Sequence, residues 1–102
     1  MADFVKVAQT SELQLGQGRL VQVNGKPIAL FNVDGHFFAI DNTCTHRGGS
    51  LAEGAVSGHE VTCPLHRAKF DVRTGEVVGP PAQQAVTRYV VRVTGTDLEI
   101  EV

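Results

Sequence analysis

The sequence predicts an all-β protein: an antiparallel β-sandwich with a small subdomain set into it. Apolar residues recur with period two in short runs, the signature of half-buried strands. Turn dipeptides such as Asn24-Gly25, Asp34-Gly35 and Thr74-Gly75 separate these runs, at roughly the 8–12-residue spacing of sandwiches and small barrels. Only Ser11-Glu12-Leu13 reads as a helical turn. The 102 residues make one domain, large enough to bury a core without disulfides.

The elements follow in order. Arg19–Val23 and Pro27–Phe31 flank Asn24-Gly25, the strongest short hairpin signal. Asp34-Gly35 joins the second of these to His36–Ile40, so three strands form a meander. Ser57-Gly58 separates a short Ala55-Val56 piece from Glu60–Thr62, and Thr74-Gly75 lies between Lys69–Val72 and Glu76–Val78. Arg88–Val93 and Leu98–Val102 alternate around Thr94–Asp97, reading as a closing hairpin. Between Asn42 and Val72 the alternation weakens and Gly48, Gly49, Gly54 and Gly58 make the chain turn-rich. This divides the domain into a base, residues 1–41 and 73–102, and an insertion, residues 42–72, built from two loops with a short hairpin between them. Gly79-Pro80-Pro81 then forms a stiff turn, because proline fixes φ and removes a donor.

A net charge of −2 gives no reason to expect nucleic acid or an anionic membrane as partner. Met1–Lys6 has no basic segment followed by an apolar one, so it does not read as a signal peptide. No apolar run approaches the roughly 20 residues of a membrane helix. The expectation is a soluble, cytoplasmic protein. In that compartment thiols stay reduced, so the two cysteines are not expected to pair in a structural disulfide. Each instead stands two or three residues before a histidine, which makes them candidate ligands.

Cys44-Thr45-His46 and Cys63-Pro64-Leu65-His66 are sixteen residues apart. Each loop offers one thiolate and one imidazole. A [2Fe–2S] cluster with two cysteines on one iron and two histidines on the other needs that donor set. Structural zinc also takes two cysteines and two histidines, but usually pairs like ligands in sequence. Here unlike ligands are paired, which favours the cluster and leaves zinc as the alternative. A zinc protein would act as an interaction module.

The same residues resemble the Rieske signature, Cys-x-His followed after sixteen residues by Cys-x-x-His. The resemblance extends through Asp41-Asn42-Thr43, Arg67–Gly75 and Gly79-Pro80-Pro81, and covers the chain as a Rieske-type ferredoxin of bacterial aromatic-ring dioxygenase systems. It implies a sandwich base with a cluster-binding subdomain at one end, one [2Fe–2S] cluster per chain on Cys44, His46, Cys63 and His66, and a proline-containing loop around Pro80 over the cluster. It also implies partners: a flavoprotein ferredoxin reductase as donor and a terminal Rieske non-haem iron oxygenase as acceptor. Rieske proteins of respiratory complexes resemble this pattern but add a disulfide between the ligand loops and two hydroxyls near the cluster. Here Gly49 or a near neighbour and Leu65 stand at the disulfide positions, and Ala68 and Phe70 replace the hydroxyl residues. A respiratory role is therefore not expected.

No nucleophile–base pair, second iron site or Gly-rich phosphate loop is visible, so the chain reads as an electron carrier, not an enzyme. His46 and His66 should then form the exposed tip through which electrons pass. Arg47 and Arg67, each directly after a ligand histidine, are candidate docking contacts. His36 and His59 read as surface histidines. A small Rieske-like subunit of an assimilatory nitrite reductase is the alternative within the same chemistry.

Overall fold

The computed structural model describes residues 3–43, 50–64, 68–79 and 85–101. Among the described residues, eleven strands form three antiparallel sheets. The strands are β1 (Phe4–Gln9), β2 (Gly18–Val23), β3 (Lys26–Val33), β4 (His36–Asp41), β5 (Ala55–Ser57), β6 (Glu60–Thr62), β7 (Lys69–Asp71), β8 (Val77–Gly79), β9 (Arg88–Tyr89), β10 (Val91–Thr94) and β11 (Asp97–Glu101). The sheets run β1-β11-β10, β2-β3-β4-β9 and β5-β6-β7-β8. Single 3-10 turns occupy Thr10–Glu12, close to the predicted helical turn, and Leu51–Glu53, which the sequence reading did not contain.

The predicted meander forms because its turn residues tolerate the left-handed region. Asn24 and Gly25 have φ of 53° and 80°, the two successive positive values a two-residue hairpin turn needs. Register follows directly, with Val23 opposite Lys26 and Leu20 opposite Ala29. Asp34 and Gly35 repeat the device, and Val33 pairs with His36. At the β5–β6 hairpin the turn falls on Gly58 and His59, with Ser57 still paired to Glu60.

β3 is the central strand, and from Ile28 to Val33 every residue is buried. Its alternation therefore serves two cores. Ile28 and Leu30, with Ala39 of β4, face Ala8, Leu13, Leu98 and Ile100 of the first sheet's side. Ala29, Phe31 and Val33, with Ile40, face Leu51, Val61, Cys63, Ala68, Phe70 and Val72. The middle sheet is thus packed on both faces, and the β5–β8 sheet is a third layer joined to the base by a continuous apolar core.

The run Arg88–Val93, predicted as one strand, is two. Arg88 and Tyr89 pair with Ile40 and Ala39 in the middle sheet. Val91–Thr94 pair instead with β11 in the first sheet. The chain changes sheets at Val90, whose carbonyl accepts the Glu101 N–H.

Candidate metal centre

The hairpin β6–β7 carries the second candidate ligand loop. Period two puts Val61 and Cys63 on its inner face, opposite Ala68, Phe70 and Val72, and all five are fully buried. Val61 pairs with Phe70, and Thr62 with Lys69. The Cys63 N–H donates to the Ala68 carbonyl at 2.7 Å, adding a rung past the end of the ladder. Cys63 and Ala68 therefore form the neck of the second loop.

The first loop has its own neck. Thr43 and Ser50 form an isolated antiparallel bridge. The Asn42 carbonyl accepts the Leu51 N–H at 2.8 Å, and the Asn42 N–H donates to the Pro27 carbonyl. Asn42 is one of two buried polar residues among those described, and its side chain spans the neck. Oδ1 accepts the Ala52 N–H at 2.8 Å and the Ser50 hydroxyl at 3.2 Å, while Nδ2 lies 3.0 Å from the same hydroxyl oxygen.

The two necks are neighbours. The turn that starts at Ser50 ends at Gly54, where a Cβ would collide with the Thr62 carbonyl. Only glycine permits this approach, and Thr62 directly precedes Cys63. A third neck lies alongside, where the Val86 N–H donates to the Gly75 carbonyl at 2.9 Å. The segment containing Gly79-Pro80-Pro81 runs between those two residues.

Of the expected ligands, the described residues include Cys63. Cys44, His46 and His66 lie outside them, as do Arg47, Leu65, Arg67 and Pro80. Ala68 and Phe70 are placed in the core beside Cys63. Among the described residues no group of three or more His, Cys, Asp or Glu is gathered as a metal site. What the structure shows does fit a cluster held by two loops. A thiol at a fully buried hairpin neck stands next to the closed neck of a second cysteine-bearing loop.

The reading of one surface group changes. His59 is half-buried rather than a plain surface residue: its ring meets Phe38 edge-on with centroids 6.1 Å apart. Its carbonyl also accepts the Val72 N–H. His36 is exposed, as expected. Arg73 grips the Asp71 carboxylate through Nε at 3.1 Å and Nη2 at 2.9 Å. That side-chain hydrogen bonding holds the Asp71 carboxyl below the usual carboxylate value, against the opposing effect of burial.

Asp41 and Asn42 entered the sequence analysis only as part of the resemblance, with no role assigned, and Ser50 and Tyr89 were given none. Ser50-Leu51-Ala52-Glu53 does carry the Ser-x-x-Glu signature of a helix start. Yet Ser50 makes no side-chain cap bond to its own turn.

Residues 3–90 match the family described as Rieske [2Fe-2S] domain. The chain belongs to this Rieske family. That membership brings one [2Fe–2S] cluster per chain. The chain is 39% identical over 99 residues to the biphenyl dioxygenase ferredoxin subunit of Pseudomonas sp. (strain KKS102), covering 96% of this chain and 91% of the relative. The ferredoxin of carbazole 1,9a-dioxygenase from Nocardioides aromaticivorans IC177 superposes with a TM-score of 0.92 at 32% identity, over 95% of each chain. A chain in the complex of reduced oxygenase and oxidised ferredoxin in carbazole 1,9a-dioxygenase gives 0.90 at 33% identity, covering 95% of this Rieske protein and 91% of that chain.

Proposed function

We propose that this Rieske protein is a one-electron carrier that receives electrons from a flavoprotein reductase and delivers them to a terminal oxygenase of the aromatic-ring dioxygenase kind. The observation that carries this reading is its likeness to dioxygenase ferredoxin components over nearly their whole length. The related ferredoxin seen together with its oxygenase supports the acceptor half. On this reading the chain is a component of an enzyme system and not itself the catalyst.

Cys44 and Cys63 would supply the two thiolates, and His46 and His66 the two imidazoles. When bound, the cluster supplies a one-electron couple whose potential lies above that of all-cysteine ferredoxins, because neutral imidazoles replace two thiolates. The chain's own contribution is to hold the donors. β6 and β7 present Cys63 from a closed neck, and Asn42 closes the neck from which Cys44 and His46 extend. The base (1–41 and 73–102) and cluster-holding insertion (42–72) are part of the same proposal, as is a cytoplasmic site of action. No helix among the described residues is long and apolar enough to cross a membrane.

EPR on the dithionite-reduced protein, with iron and sulfide counts, tests the reading first. A rhombic Rieske signal with two irons and two sulfides per chain is expected. A colourless protein holding one zinc would overturn it. Rapid-mixing transfer from the reduced protein to an aromatic-ring oxygenase tests the carrier role.

A further inference from the structure

We infer that Asn42 is a positioning residue for the first ligand loop, locking its neck so that Cys44 and His46 stay placed for the cluster; this rests on the ligand assignment above. The observation behind it is an exchange of partners at the 3-10 turn Leu51–Glu53. Ser50 occupies its N-cap position, where a serine hydroxyl ordinarily accepts from the turn's own N–H groups. Here that hydroxyl is turned to the Asn42 amide, and Asn42 Oδ1 accepts the Ala52 N–H in its place at 2.8 Å. One side chain from the residue that follows β4 into the loop thus caps the turn leaving it. With the Leu51 N–H on the Asn42 carbonyl, the two stems are joined by main chain and side chain together.

The contact is largely shielded from water on the Asn42 side, with Ser50 and Ala52 half-buried. Asn42 is 6% exposed, and its neighbour Leu51 is fully buried in the core that also contains Cys63. Removing the amide leaves the Ala52 N–H and the Ser50 hydroxyl without their partner inside the protein, and an open neck lets both stems part. The consequence falls on the loop, because the strand behind it is held by β3 at Ile28 opposite Asp41.

Asn32 provides the control. It is the other buried polar residue among those described, also 6% exposed, and lies on β3 of the middle sheet. Its Nδ2 donates to the Leu13 carbonyl at 2.8 Å and its Oδ1 accepts the Gly35 N–H at 3.0 Å. Its side-chain hydrogen bonds go to the main chain of Leu13 and Gly35 and to none of the residues that close the loop necks. Asn32→Ala removes a comparable buried network without opening the first loop.

The test uses the cluster-loaded protein, held well below its unfolding temperature in excess iron chelator, with bleaching followed in the visible. Asn42→Ala should lose its cluster about 10–100-fold faster than the parent, a change on the scale of the affinity lost when groups that orient metal ligands are removed. Its EPR signal should also shift or broaden. Ser50→Ala should accelerate loss by less. Asn32→Ala should lower the melting temperature yet bleach like the parent with an unchanged EPR signal. Equal acceleration in Asn42→Ala and Asn32→Ala, tracking lost stability, would overturn the inference. So would parent-like bleaching of Asn42→Ala. Should Asn42→Ala fail to fold, Ser50→Ala decides alone: faster bleaching supports the inference and a parent-like rate overturns it. Cys44→Ala separates the two levels. If it keeps the parent's colour and EPR signal, the ligand assignment is wrong. If it is colourless while Asn42→Ala bleaches like the parent, only the positioning role falls.

Discussion

The Tyr89 hydroxyl donates to Oδ1 of Asp41 at 2.6 Å, tying the end of β4 to β9. Asp41 is held a second time by Thr87, whose carbonyl accepts the Asp41 N–H at 2.9 Å and whose own N–H reaches Oδ2 at 3.3 Å. Asp41 directly precedes Asn42, and Thr87 directly follows Val86 at the third neck. The strand that feeds the first ligand loop is therefore fastened to the chain returning from the segment around Pro80.

Tyr89→Phe should cost about 1 kcal/mol, the net value of a typical intramolecular hydrogen bond, while leaving the cluster spectrum intact. The phenol also creates a pH dependence. Burial, and then the hydrogen bond to Asp41, push its pKa up from 10.0 to about 12. Above about pH 10 the unfolded chain releases this proton while the folded one keeps it. The stabilisation is complete below that pH and is lost as pH rises toward about 12. Urea midpoints measured across this range should fall less steeply in Tyr89→Phe than in the parent.

Histidine substitutions separate ligands from bystanders. His46→Ala and His66→Ala should each yield colourless protein, because an open iron position exposes the site to hydrolysis. His36→Ala should be indistinguishable from the parent. His59→Ala should keep its colour but lose about 0.5–1.5 kcal/mol, the worth of an edge-on aromatic contact such as that with Phe38. Absorbance spectra and thermal melts of the four variants check the assignment. A bleached His59→Ala beside a coloured His66→Ala would reverse it.

Charge around the loops should steer docking. Between residues 42 and 73, Arg47, Arg67, Lys69 and Arg73 stand against Glu53, Glu60 and Asp71, a surplus of one positive charge, and the rest of the chain is negative. The ion pair between Arg73 and Asp71 neutralises two of these charges locally. The steering should then depend on Arg47, Arg67 and Lys69. Transfer to the oxygenase should slow as salt is raised, and Arg47→Glu should slow it further at low salt. A transfer rate indifferent to ionic strength, or faster in Arg47→Glu, would contradict this.

The reduction potential should lie at the low end of the Rieske range, roughly −150 mV. A hydrogen bond to a cluster or cysteine sulfur stabilises the reduced state and raises the potential, and Ala68 and Phe70 offer none from their side chains. Both are fully buried, in the core that contains Cys63. Ala68→Ser and Phe70→Tyr should each move the potential upward in protein-film voltammetry. Both add an atom to a packed core, which costs about 1–3 kcal/mol, so melting curves should accompany the potentials.

Much of the fold was readable because its instructions are local. Asn24-Gly25 and Asp34-Gly35 announce their turns through residues that accept positive φ, and each turn sets the register of the strands beside it. The ligand spacing is likewise a property of the chain, so family and cofactor were legible from Cys44, His46, Cys63 and His66. Asn42 was not. Asparagine before a loop reads as an ordinary polar residue, and its role depends on a serine and an alanine eight and ten residues further on.

What the sequence by itself determined, then, is most of the hairpins and the all-β class, together with a candidate donor set in its two loops. Each follows from alternation, turn chemistry or ligand type within a few residues. The tertiary structure alone decided how the sheets divide and what holds the loops shut. Arg88–Val93 alternates the same way whether it is one strand or two. It breaks at Val90 because Ile40 and Ala39 on one side, and β11 on the other, compete for its backbone hydrogen bonds. The burial of β3 on both faces has the same origin. A strand can state that both its faces are apolar, but only the packing of two other sheets determines which core each face serves.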